Sequence, residues 1–137
     1  MLRKALKVTF AGAMGVLALV IAVGSTGTAA EDKTVDTSTI MKKSFKDKNN
    51  YQAAVKAAAK DGKWEDATKL AKEWAALGVA LGKNKPNKGE AKGWEEQCAK
   101  FIDSTKAVVK ACEDKDAKAV NKSAGAFNCQ GCHKAHR

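Results

Sequence analysis

The last nine residues of the chain, Cys129-Gln-Gly-Cys-His-Lys-Ala-His-Arg137, decide how the rest of the sequence is interpreted. Cys129, Cys132 and His133 are spaced i, i+3 and i+4, so on a helix they share one face. Two thiols and an imidazole in this pattern attach a c-type haem, in which the thiols bond the porphyrin and the imidazole binds iron. The motif therefore predicts one covalent haem c. His136 is expected to be a solvated side chain near the C-terminus.

Two other uses of a Cys-x-x-Cys pair fit the surrounding sequence poorly. A thioredoxin-type dithiol would need a βαβ pattern around it, and none is visible. A structural zinc site would need two further ligands at short spacing, whereas Cys98 and Cys112 lie far upstream on a different predicted helix. Haem attachment is therefore the favoured interpretation.

The first thirty of the 137 residues have the pattern of an export signal. The pattern consists of basic residues at positions 3, 4 and 7, an apolar run over 10–23, and a small-residue cleavage site at 28–30. A retained anchor is the alternative, but the apolar run is short, because a spanning helix needs about 20 apolar residues. We expect cleavage before Glu31, one domain over 31–137 with no stable membrane span, and a location in the periplasm or an equivalent extracytoplasmic space.

The chain is basic, with a formal net charge of +10, which falls to +7 once three basic residues of the signal are removed. Such a charge is compatible with nucleic acid, anionic lipid or an acidic redox partner. Export argues against nucleic acid. Because lysines alternate with acids along all the predicted helices, a solvated basic surface is favoured over a dedicated patch.

Four amphipathic segments account for residues 31–137, which are rich in Ala, Lys and Glu and contain only one proline, Pro86. They are predicted at 36–60, 64–81, 90–113, and from 114–116 to the haem motif. Asn49 and Asn50 weaken the middle of the first segment, so the helix can break there. Turn residues at 82–89 separate the second from the third. Four such helices with short connections predict an all-α fold, an antiparallel up-down-up-down four-helix bundle holding a covalent haem c.

A helical bundle with Cys-x-x-Cys-His at its C-terminus resembles the cytochrome c′ group, the class II c-type cytochromes. The resemblance covers 31–137 and is best in 94–101 and 129–137. It implies that His133 is the proximal iron ligand and that Cys129 and Cys132 are the thioether anchors. On the distal side it implies either an open position behind an apolar side chain of the first helix or a Met from that helix. It also implies dimers through exposed helix faces.

The antiparallel order would bring the start of the first helix, the end of the second and the start of the third to the haem. Distal candidates come from those segments: Met41 and Phe45, Trp74 and Leu77, and Trp94 and Cys98. Of these, Met41, Phe45, Trp94 and Cys98 are predicted as site residues. Cys98 has three interpretations: a packed core residue, a distal thiolate ligand, or an intermolecular disulfide. Met41 is the alternative distal ligand. Cys112 is fourteen residues beyond Cys98 on the same helix, about 21 Å away, which is too far for a disulfide. We expect Cys112 to be a small buried hydrophobe.

These features predict a periplasmic mono-haem protein that transfers electrons or binds a small gas such as nitric oxide. The alternatives are a five-coordinate or Met41-ligated gas scavenger or sensor, and a haem subunit that docks into a larger redox complex. A peroxidase or reductase is disfavoured because no distal His or Arg is placed to act on bound oxygen species. The expected partners are a redox protein, a possible gas ligand and a second chain in a homo- or heterodimer.

Overall fold

The structure, a computed structural model, describes residues 34–137. Regular structure in this range is entirely helical: α1 (Thr37–Met41), a π-helical turn (Lys42–Lys46), α2 (Tyr51–Lys60), α3 (Trp64–Lys83), α4 (Ala91–Glu113), α5 (Ala117–Gly125) and α6 (Cys129–His136). The all-α prediction is confirmed, and the arrangement is compatible with a helical bundle. The export signal predicted for 1–30 lies outside the described residues.

The described part of the chain begins with a short helix that passes directly into a wider π-helical turn. Asp36 caps α1, because its carboxylate accepts a hydrogen bond from the Thr39 amide at 3.0 Å. The π turn ends where the Asp47 amide donates to the Lys42 carbonyl, five residues back, at 2.8 Å. These two segments carry Met41 and Phe45.

The helix predicted for 36–60 is divided in its middle, where the sequence allowed a break. Asp47 adopts an extended conformation, and α2 restarts after Asn50. The Asn50 side chain accepts a hydrogen bond from the Ala53 amide at 2.9 Å and so caps α2. Asparagine competes with the helix for backbone hydrogen bonds, and this explains why the break falls at the residues that weaken the segment.

The two central helices agree closely with their prediction, since α3 spans 64–83 and α4 spans 91–113. Gly78 allows α3 to approach α4, because a Cβ there would lie only 3.1 Å from Cδ1 of Phe101. The Trp94 indole Nε1 donates to the Asn84 carbonyl at 2.7 Å, which joins the start of α4 to the end of α3. Lys72 and Glu113 form an exposed ion pair of 3.2 Å.

The last predicted helix is also divided, so its continuous form is wrong. Asp116 caps α5 by accepting from the Ala119 amide at 2.9 Å, and α5 ends at Gly125. The Asn128 side chain accepts from the Gly131 amide at 3.0 Å and caps a separate helix, α6. The Cys-x-x-Cys-His motif therefore lies on its own short helix of eight residues.

Buried side chains form two clusters. The larger contains Val55, Trp74, Val108, Cys112 and Val120, all fully buried, and Cys112 lies in it as the small hydrophobe expected. The smaller contains Ile40, Leu81, Trp94 and Cys98. Within 34–137, none of the helices combines the length and the apolar character needed to cross a bilayer.

Candidate functional site

A cavity of about 510 Å³ lies beside the Cys-x-x-Cys-His motif. Six of the seven side chains predicted for the site line it: Cys129, Cys132, His133, Met41, Phe45 and Trp94. They come from α6, from α1 with its π turn, and from the start of α4. The broken segments at both ends of the described chain thus meet around one space.

The motif side chains are presented from the first turn and a half of α6. Cys129 and His133 are exposed, Cys132 is half-buried, and both thiols are free. Burial, with a smaller effect from Cys129, raises the pKa of the Cys132 thiol. The Asn128 cap fixes where the helix begins. It fits because residue 131 is a glycine, since a Cβ there would lie 2.5 Å from the side-chain nitrogen Nδ2 of Asn128. The cap therefore sets the rotation of the motif.

One wall of the cavity is aromatic. The Phe127 ring packs against Phe45 at 5.2 Å and against Phe101 at 5.1 Å between centroids, and all three rings line the cavity. Behind them, the fully buried Trp74 stacks on Phe127 at 4.9 Å. Edge-to-face and stacked rings of this kind hold one another in place, so the wall is apolar and well packed.

The rim of the cavity carries charge. Exposed basic side chains from three segments, Lys46, Lys100 and Arg137, line it together with the carboxylate of Asp103. The sequence interpretation did not single out these residues, because lysines occur along every helix and periodicity does not mark those that reach the cavity.

Cys98, the seventh predicted site residue, is not among the residues lining the cavity. Its side chain is buried in the smaller core cluster, against which Cys132 also packs, and Sγ contacts the Leu81 carbonyl of α3 at 3.8 Å. Burial, together with smaller contributions from Cys132 and Glu95, raises the pKa of the Cys98 thiol to about 11. In this geometry Cys98 is a packed thiol with a raised pKa, and its ligation of iron stays a prediction.

The expectation of a solvated His136 is wrong. Its side chain is only 6% exposed, and it lines the cavity. The ring lies edge-on to Trp94, with centroids 5.6 Å apart, and Nδ1 lies 3.2 Å from the Lys88 carbonyl oxygen. A position near the C-terminus favours exposure, whereas the loop before α4 covers this residue. His136 follows His133 by three residues, and this spacing could have predicted that both lie on the same side of a helix.

A haem fits the residues present. A cavity of this size is within the range that holds organic cofactors, its wall is apolar, and two thiols and an imidazole border it. Within 34–137 no three His, Cys, Asp or Glu side chains group to hold a bare metal ion. Haem iron needs only one or two protein ligands, since the porphyrin supplies the other four.

Comparison with known proteins gave no match to this chain among protein-family models, curated proteins or solved structures.

Proposed function

We propose that the protein is an exported mono-haem c protein of the cytochrome c′ type that transfers electrons or binds a small gas. One observation supports the proposal above all others. Cys129, Cys132 and His133 border the same apolar cavity of about 510 Å³ that the aromatic wall and Met41 line. Both the local pattern of the motif and the surroundings of the motif suit the same cofactor.

In this proposal each motif residue has a distinct role. Cys129 and Cys132 anchor the porphyrin edge through thioether bonds, and His133 binds iron from the proximal side. The rings of Phe45, Phe101 and Phe127 exclude water from the macrocycle. Haem supplies an iron that changes its oxidation state and binds gases, while the protein tunes it through ligands and burial.

The charged rim suits the remaining part of a haem. Its two propionates are carboxylates, so exposed cations at the cavity mouth would compensate them. Lys46, Lys100 and Arg137 are in that position, against one acid, Asp103. Opposite charges across an exposed rim contribute little affinity each, but they favour one orientation of the macrocycle over the other.

The proposed bundle is antiparallel, as expected from the four-segment pattern. The contacts between α3 and α4 support it, because residue numbers fall along α3 as they rise along α4. Asn84 contacts Trp94, Leu81 contacts Cys98, and Gly78 lies against Phe101. This arrangement places the start of α4 beside the motif.

The distal side separates electron transfer from gas binding. Met41 and Phe45 both line the cavity, and a Met opposite His is an established ligand pair of electron-transfer haems. We propose Met41 as the sixth ligand, with a position left open behind Phe45 as the alternative, which would suit nitric oxide. Distal ligation by Cys98 is less well supported, because its thiol contacts the α3 backbone and does not line the cavity.

The proposed setting follows from the export signal and the haem together. The protein would work in the periplasm or an equivalent space, with a redox protein as electron partner and a homo- or heterodimer as its assembly. The basic charge favours an acidic redox partner.

The test is expression of the full chain in a host that has haem-attachment machinery. Intact mass should equal residues 31–137 plus one haem; a mass without haem would refute the proposal. Optical and electron paramagnetic resonance spectra should show low-spin iron that becomes high-spin in Met41→Ala. Cys98→Ala should leave the spectra unchanged, as should the control Cys112→Ala.

The same spectra decide between the alternatives. High-spin ferric iron in the unchanged protein, unaffected by Met41→Ala, would assign gas binding at an open position. A changed Soret band in Cys98→Ala alone would assign the ligand to Cys98 and contradict our choice of Met41.

A further inference from the structure

His136 is a buried histidine for which the haem motif itself has no use. It lies in the last turn of α6, three residues after His133. Its side chain is 6% exposed, whereas His133 is exposed. Residues next to a chain terminus are usually the most mobile, so burial of a polar ring at this position needs partners.

The imidazole of His136 makes two contacts with the loop and helix that face it. Nδ1 lies 3.2 Å from the Lys88 carbonyl oxygen. Since a carbonyl oxygen only accepts, this hydrogen bond requires the proton on Nδ1. The ring also lies edge-on to the Trp94 indole at 5.6 Å and 77°. The first contact holds the loop, and the second holds the start of α4.

The backbone around the imidazole is shaped to admit it. Gly89 has φ of +83°, and a Cβ there would lie 2.6 Å from the Ala135 carbonyl oxygen and 2.8 Å from Nδ1 of His136. A Cβ on Gly93 would lie 3.3 Å from Cε1 of the same ring. A larger residue at Gly89 would therefore displace the imidazole or the loop, whereas at Gly93 the imidazole would have to shift by a few tenths of an ångström.

The contact network extends from Trp94 to the other side of the cavity. The indole Nε1 donates to the Asn84 carbonyl at 2.7 Å. The Asn84 side chain in turn donates to the Val35 carbonyl at 2.8 Å, just before α1. The segment that carries Met41 and the helix that carries His133 are thus linked through the same pair of aromatic rings, Trp94 and His136.

We propose that His136 is a positioning residue for the His133 imidazole. Helix α6 has eight residues, which is too short for independent stability, and His133 is itself exposed. Helix α6 must therefore be fixed by contacts elsewhere along it, and those of His136 with Lys88 and Trp94 fix its C-terminal end. This role toward iron rests on the proposed haem function.

Three substitutions separate the two contacts. His136→Asn keeps a donor near the position of Nδ1 and loses the ring. His136→Phe keeps the ring and loses the donor, and His136→Ala loses both. The control is Gln52→Ala, which removes a similar side-chain hydrogen bond to a backbone carbonyl, from Gln52 to Ala124 at 2.7 Å.

Two measurements are made on the haem-loaded full chain. Hydrogen exchange reports the amides of 132–137. Resonance Raman of the ferrous protein reports the iron–histidine stretching band, and it is recorded in a Met41→Ala background, in which the iron is expected to be five-coordinate and high-spin. In His136→Ala we expect exchange about thirtyfold faster and a shifted, broadened band, since a hydrogen bond and an aromatic pair are both lost. The Asn and Phe variants should exchange roughly fivefold faster. Gln52→Ala should leave the α6 exchange and the band unchanged.

The outcomes distinguish this proposal from the proposed function. A normal haem mass with unchanged exchange and band in His136→Ala would overturn the role of His136 alone. A band that also shifts in Gln52→Ala would reduce that role to general stability and overturn the proposal. A protein without haem would overturn the proposed function and, with it, the role toward iron.

Discussion

Replacement of Phe127 by alanine should destabilise the protein more than any other change in the cavity wall. The ring lies at 5.2 Å from Phe45, 5.1 Å from Phe101 and 4.9 Å from Trp74. Phe45 also contacts the other three rings, but its distances to Trp74 and Phe101 are longer, at 5.7 and 6.2 Å. Phe→Ala in a core costs about 3 to 5 kcal/mol, and each aromatic pair contributes about 0.5 to 1.5 kcal/mol within that sum. Because one side of Phe127 faces the cavity, we expect about 3 kcal/mol.

The loss would be measured as the change in the free energy of unfolding, from urea titration of the haem-loaded protein followed by circular dichroism. Phe127→Leu is the matched control, since it keeps most of the apolar volume and should cost less than about 1.5 kcal/mol. A cost below about 1 kcal/mol for Phe127→Ala would refute the reasoning. Equal costs for the two variants would show that ring packing, and not volume, stabilises the wall.

Two further predictions concern the helix caps. Hydrogen bonds from the Thr39 side chain and amide lower the pKa of the exposed Asp36 below its ordinary value of 3.8, so its stabilising effect is present above that value and is lost as pH falls through the lower, folded-state pKa. Hydrogen exchange at the Thr39 amide, corrected for the intrinsic rate, should show less protection as the pH is lowered. Asp36→Asn still caps the helix and should abolish this pH dependence. The same pH profile in the unchanged protein and in Asp36→Asn would contradict the prediction. Asn128→Ala should destabilise α6 by about 1 kcal/mol and lower the haem-loaded fraction seen by intact mass, while Asn128→Ser should restore both; full loading in the alanine variant would argue against a role for the cap.

The central helices and the motif could be predicted because their signals are local. Apolar spacing of three and four identifies α3 and α4, and the turn residues at 82–89 separate them. Cys129, Cys132 and His133 need only one helical turn to share a face. The same spacing predicted which residues of α4 face the core, and Trp94 and Cys98 are both buried as expected.

The misses arose where distant parts of the chain meet. Burial of His136 depends on the Lys88 carbonyl, 48 residues away, and no periodicity within α6 encodes that contact. Cys98 was correctly placed inside, but whether it faces the cavity or α3 depends on a small rotation of α4 that spacing does not resolve. The Asn128 side chain caps α6 and so divides the last segment. Capping by an asparagine and continuation of the helix through it are close in free energy, so the sequence pattern does not decide between them.

The π-helical turn between α1 and α2 gives the cavity wall a tolerance to changes in chain length. A π turn holds one more residue than an α turn, and here the extended residue Asp47 separates it from α2. A one-residue deletion within 42–46 would tighten the turn into an α-helix and rotate Phe45, while the cap at Asn50 would keep the register of α2. A single-residue insertion or deletion at this turn would therefore change the shape of the pocket without shifting α2, and Phe45 would change its packing against the larger core cluster.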